Sequence, residues 1–178
     1  VLMGEKWEKV LTKAIGVKPI EINSALLSGQ NRRRLYWTNI GMKPMGLFGD
    51  LESTIQQPKD KGILLKDILE SEVDEKYFLS EKMVSGFLEH NKNHEGKTGF
   101  VWEPTEGNKK GACLRANAAL NATDNSIVVY NNSRCLIANL TNFMQYQGKG
   151  RIRRLTPIEC ERLQTVKDNY TDCVSDSQ

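Results

Sequence analysis

The 178-residue sequence contains no CxxC pair, no apolar run of bilayer length and only two histidines. Each shortage removes a class of function. Cys113, Cys135, Cys160 and Cys173 stand apart, so zinc-ligand spacing is absent. A spanning helix needs about 20 consecutive apolar residues, and charge interrupts every candidate earlier. The first residues, Val1-Leu2-Met3-Gly4-Glu5-Lys6, become charged too soon for a signal peptide. A cytoplasmic protein without membrane, metal or disulfide framework is therefore expected, and its Asn-x-Ser/Thr matches are chance. His90 and His94 have helical i,i+4 spacing but no third ligand nearby, which favours ordinary surface histidines over a metal site.

What is present is an uneven charge. The net charge is only +3, yet residues 64–106 hold ten acidic and five basic side chains, leaving +8 for the remainder. Much of that excess lies in Arg32-Arg33-Arg34 and in Lys149, Arg151, Arg153 and Arg154. Two basic clusters far apart in sequence can converge on a polyanion, because clustered cations gain from counterion release. Two solvated edges would give the same composition.

Along the chain, Trp7, Val10, Leu11, Ala14 and Ile15 repeat at helical spacing and predict an amphipathic helix over 4–15 that Gly16 can end. Residues 20–23 and 34–40 predict two strands at an α/β sheet edge. The Gly, Pro, Lys and Gln texture of 41–62 predicts an irregular connector. Short helical pieces are expected at 64–69 and after Ser80, an N-cap, with Met83, Val84, Phe87 and Leu88 buried. Residues 91–125 should be turns and loops, and 127–130 and 136–140 strands. Trp102, Tyr130, Phe143 and Tyr146 could stack on bases, although aromatics in short strands are usually core. Gly148-Lys149-Gly150-Arg151 lacks the ending of a phosphate loop and is expected to be a hinge or phosphate-contacting loop. Thr156-Pro157-Ile158-Glu159 forms a capping box with proline at the first helical position, predicting a helix over 157–164.

In a strand, Arg32 and Arg34 project to one face and Arg33 to the other. Two guanidiniums on one face can hold a phosphate and a base carbonyl together, and a surface ion-pair cluster is the competing explanation. Here a resemblance becomes specific. Gln30-x-Arg32-x-Arg34, followed by Leu35-Tyr36-Trp37, resembles the QxRxR motif of DNA cytosine-5 methyltransferases. Roughly a hundred residues later, Arg154-Leu155-Thr156-Pro157-Ile158-Glu159-Cys160-Glu161-Arg162-Leu163-Gln164 resembles that family's RxLTxxExxRLQ motif. In the family these motifs bracket the target-recognition region in this order.

The resemblance implies an α+β fold: a target-recognition domain of mixed short strands, helices and loops over 41–150. It would be flanked by 1–40 and 151–178 as partial elements of an α/β, Rossmann-like catalytic lobe. It implies double-stranded DNA as partner, a bacterial or phage nucleoid-associated setting, and DNA contacts from Gln30, Arg32, Arg34, Lys149, Arg151 and Arg153. Arg32 and Arg34 would line the active site. Arg154, Thr156, Glu159 and Arg162 would be structural.

The family's other machinery has no counterpart in the sequence. There is no FxGxG-type loop for S-adenosylmethionine, no Pro-Cys nucleophile and no Glu-Asn-Val motif. The expectation is an excised, inactive piece whose missing half of the same chain binds S-adenosylmethionine, with no cofactor held by the piece itself. Lys167 stands where the family usually has proline, which should loosen the turn after the second motif. Two rivals stay open: a stand-alone nucleic-acid-binding module, and a tRNA-acting relative of the family.

Overall fold

The structure, a computed structural model, describes residues 3–47, 49–95, 101–114, 126–130 and 150–173. Helix α1 (Glu5–Ile15) ends where Gly16 adopts φ 81°, a left-handed conformation that an L side chain would strain. Its apolar stripe faces outward: Trp7, Val10 and Ile15 are each at least half exposed. One hydrogen bond, from Trp37 Nε1 to Thr12 Oγ1 at 3.1 Å, ties its polar side to the neighbouring ribbon.

That ribbon is strand β1 (Ile20–Asn23) antiparallel to β2 (Arg33–Tyr36), with Ile22 opposite Arg34 and Asn23 opposite Arg33. Between the strands, the Asn23 side chain accepts from the Ala25 and Arg32 amides and fixes the turn. A second ribbon, β3 (Met42–Met45) with β4 (Asp50–Ser53), overturns the expected irregular connector. The glycines that suggested a break supply the hairpin's turn, since Gly46 and Gly49 take φ 75° and 68°. Residues 55–62 are irregular, as expected.

The core gathers around β5 (Ser126–Tyr130) and β6 (Gly150–Arg154), an antiparallel pair. Leu65, Ile68, Leu114, Ile127, Leu155 and Leu163 form one buried cluster. The piece expected at 64–69 is a 3-10 turn over Leu65–Asp67. Phe78 bridges to Arg153 and the Leu79 amide donates to the Ile152 carbonyl at 2.9 Å, so β6 has a partner on each side. Helix α2 (Glu81–Asn93) starts at Ser80, whose hydroxyl accepts from the Met83 amide. Its Met83 is exposed rather than buried, while Phe87 stacks at 4.8 Å on Trp102. The described elements make an α+β fold.

Helix α3 (Pro157–Leu163) carries the predicted capping box: the Glu159 amide donates to Thr156 Oγ1 at 3.2 Å and the Thr156 amide to Glu159 Oε2 at 2.9 Å. Glu159 has a second task. Its two oxygens accept from Arg153 Nη1 and Nη2 at 2.7 and 2.6 Å, and this pair is 0% and 2% exposed. Counting back from Thr156 and Glu159, the RxLTxxExxRLQ pattern puts its first arginine at Arg153, one residue before the Arg154 expected. Arg154 instead reaches the Lys76 carbonyl at 3.3 Å.

The helix closes in a Schellman arrangement, with the Thr165 amide donating to Arg162 O at 3.0 Å and the Val166 amide to Glu161 O at 3.1 Å. This places Thr165 at φ 61°. Beyond it, Arg162 grips Asp168 at 2.9 and 2.6 Å. Glu161 accepts from the Thr171 amide at 2.7 Å and from its hydroxyl, which holds the Glu161 carboxyl below its usual range. Side-chain pairs thus hold the turn where the family's proline is replaced by Lys167. The expected strand 136–140, the loop glycine Gly148 and the stacking candidates Phe143 and Tyr146 lie outside the described residues.

Two stability changes follow. Glu159→Gln leaves the Arg153 cation buried and unmatched, so urea unfolding should show a loss of about 3–5 kcal/mol. Thr165→Gly removes a left-handed β-branched residue, so the same titration should show a gain of about 1 kcal/mol; an unchanged midpoint would refute the strain at Thr165.

Candidate nucleic-acid interface

The two motif regions meet through backbone packing. Gly29, just before Gln30, lies against Leu64 and Leu163: a Cβ built on it would sit 3.3 Å from the Leu64 carbonyl oxygen and 3.4 Å from Leu163 Cδ2. Gly111 packs on the other side, donating to Gly29 O at 2.6 Å and accepting from the Asn31 amide at 2.9 Å. Lys110 fastens the same turn, donating to Ala25 O, to Ser28 O at 3.3 Å and to Asp60 Oδ1 at 3.2 Å. A Cβ at Gly29 would press on the Leu64 carbonyl more tightly than most side chains do, so glycine suits this approach.

This packing decides which candidates are available. Gln30 is 2% exposed, and its Nε2 has no partner among the described residues, so the expectation of a DNA-contacting Gln30 is not met in this arrangement. Burial beside the glycine contact is the reason. Arg153 is likewise withdrawn from any phosphate, because Glu159 matches its charge in the interior.

On the β1–β2 ribbon the three arginines divide. Arg33 donates to both Glu21 oxygens at 2.6 and 2.8 Å; this holds the Glu21 carboxyl below its usual range and raises the Arg33 guanidinium. The register puts Arg34 on the opposite face, with Ile20, Ile22 and Tyr36. Arg32 lies one residue before β2, and its backbone is fixed by Asn23 and Ser24. Both Arg32 and Arg34 are half-buried, and among the described residues neither side chain has a hydrogen bond or ion pair. A cation without a carboxylate partner retains its full attraction for an incoming anion or carbonyl.

The second basic cluster is more occupied. Lys149 lies outside the described residues. Arg151 donates to both oxygens of Glu75, with Nη1 to Oε2 at 3.0 Å. Sequence inspection missed Glu75 as its partner, because nothing local links residues 76 positions apart. Arg162 also donates to Ile68 O at 3.0 Å, a packing role. Thr156 donates to Glu70 Oε2, and this acid too was missed.

Other chemistry-bearing residues are engaged structurally. Trp102 is 2% exposed, and its amide and carbonyl are both held by the Asn91 side chain, at 2.8 and 2.7 Å, so it belongs to the core. Burial, with Glu159 and Glu161 beside it, pushes the Cys160 thiol up to about 12, which favours the neutral thiol there. His90 and His94 stack at 4.1 Å, and among the described residues no cluster of three or more ligands could hold a metal. No described helix is long and apolar enough to cross a membrane.

Comparison with known proteins supplies the context. The family model for C-5 cytosine-specific DNA methylase matches residues 26–178. The Type II methyltransferase M.NlaX of Neisseria lactamica is 29% identical over 150 residues, covering 84% of this chain and 41% of that protein. The Type II methyltransferase M1.ScrFI of Lactococcus lactis subsp. cremoris is 26% identical over 164 residues, covering 89% of this chain and 38% of that protein. No solved structure matches. The chain thus spans about two fifths of the length of these curated relatives. With both motifs in order, their flanks packed together and the family model spanning most of the sequence, the chain belongs to the C-5 cytosine-specific DNA methylase family.

Proposed function

We propose that this chain is the DNA target-recognition part of a DNA (cytosine-5-)-methyltransferase. Residues 41–150 form the recognition region, and 1–40 and 151–178 join it to the catalytic lobe. The observation that carries this proposal is the contact of Gly29 with Leu163, which joins the flanks of the two family motifs, with Arg32 and Arg34 lacking carboxylate partners among the described residues. Sequence choice would come from recognition-region contacts in the major groove, with the two arginines lining the site.

The target carbon lies inside the duplex, so the cytosine must leave the stack at a cost of a few kcal/mol that protein contacts offset. Arg34 would place its guanidinium at the base carbonyl. Negative charge entering the ring would be stabilised there, with Arg32 supporting it. S-adenosylmethionine supplies the methyl group in this family. The residues present do not fit that cofactor: no glycine-rich loop follows β1 or β2, and Glu21, the acid on that ribbon, is held by Arg33. The cofactor and the nucleophile are therefore assigned to the rest of the enzyme. The exposed stripe of α1 supports a docking face for that remainder.

The chain alone should transfer no label from S-adenosylmethionine to cytosine-rich duplex, and incorporation above a no-protein control would refute its inactivity. It should prefer duplex DNA over tRNA in competition, and Arg32→Ala with Arg34→Ala should weaken duplex binding roughly tenfold. Preference for tRNA would instead support the tRNA-acting relative.

A further inference from the structure

Arg151 is held differently from every other arginine described. Its guanidinium lies over the Phe78 ring, with Cζ 3.9 Å from the centroid, and its tip donates to both oxygens of Glu75. The Phe78 support is anchored to the strand that carries Arg151. Phe78 pairs with Arg153 of β6, and Leu79 donates to Ile152 O at 2.9 Å. Glu75 opens a 3-10 turn capped by Asp74, whose carboxylate accepts from the Lys76 amide at 3.0 Å. The side chain is nevertheless 45% exposed. The Phe78 ring covers its face and Glu75 takes one N–H of each terminal nitrogen, while the remaining N–H donors, on Nε and the outer sides, have no partner among the described residues.

Such an arrangement suits one kind of ligand. A phosphate is drawn by net charge, and here Glu75 already matches the charge and would repel a second anion. What Arg151 retains is direction: N–H donors at set angles on a guanidinium that cannot swing freely. The guanine edge in the major groove offers two neutral acceptors, O6 and N7, matched to an arginine fork. A carboxylate alongside does not oppose that contact. It limits the side chain's other rotamers, so less entropy is lost on binding.

We propose that Arg151, oriented by Glu75 and stacked on Phe78, is a guanine-reading residue at the junction between the recognition region and the closing segment, rather than a phosphate anchor. The inference rests on the DNA-recognition role proposed above and specifies one base contact within it.

The test is selection of bound sequences from a duplex pool with a randomised centre, repeated with Arg151→Lys and Glu75→Gln. The unmodified chain should enrich a site containing a fixed guanine. Arg151→Lys keeps the cation but loses the fork, so preference at that one guanine should fall roughly tenfold or more while the salt dependence stays unchanged. Glu75→Gln should relax the same position and no other. Replacing that guanine by 7-deazaguanine, which lacks N7, should weaken binding of the unmodified chain and leave Arg151→Lys indifferent. Three results would overturn the assignment: Arg151→Lys leaving every base preference intact, Arg151→Ala lowering only the salt slope, or Glu75→Gln tightening binding to all sequences. Retention of no duplex by the unmodified chain would sink the recognition role itself, a failure distinct from these.

Discussion

The buried pair of Arg153 and Glu159 holds the described structure together. Four donors converge on one carboxylate: two guanidinium nitrogens, the Thr156 amide and the Glu70 amide. They come from three elements, since Arg153 lies in β6, Thr156 caps α3 and Glu70 follows the 3-10 turn that carries Leu65. An ionised carboxylate removed from water is costly unless its lone pairs are satisfied. Here every oxygen is used twice. Strand, helix and turn must therefore settle into one arrangement together, and the apolar cluster around Leu65, Ile127 and Leu163 closes over it.

From that anchor the positions of the basic groups follow. Leu163 ends the helix that Glu159 starts, and it presses on Gly29, which precedes the arginine-bearing turn. The segment entering β2 is thus held both by Asn23 and Ser24 nearby and by Leu163 from the far end of the chain. Along this path the arginines separate by the company they keep. Arg153 is neutralised in the interior, Arg33 and Arg151 are matched at the surface, and Arg32 and Arg34 keep their charge uncompensated among the described residues. A count of basic residues treats these five alike. Their electrostatic roles differ because a carboxylate sits beside three of them.

The exposed stripe of α1 belongs to the same logic. Trp7, Val10 and Ile15 have helical periodicity but stay at least half exposed, while Thr12 ties another side of the helix to Trp37. Periodicity marks a face meant for burial, not what buries it. The matched relatives are more than twice as long as the stretch aligned with this chain.

Features written within one helical turn or one strand were legible in the residues themselves. The capping box at Thr156 and Glu159, the Ser80 cap and the Gly16 stop all depend on neighbours a few positions apart, and local sterics and hydrogen bonding suffice for them. The family, too, was legible, because two motifs keep their internal spacing whatever lies between. Tertiary packing alone decided the rest. It buried Gln30 beside Gly111, gave Arg151 its acid from 76 positions away and turned the glycines near 46 into a hairpin. A charged side chain's role depends on which opposite charge and how much water surround it in space, and those neighbours come from distant segments that no local pattern encodes.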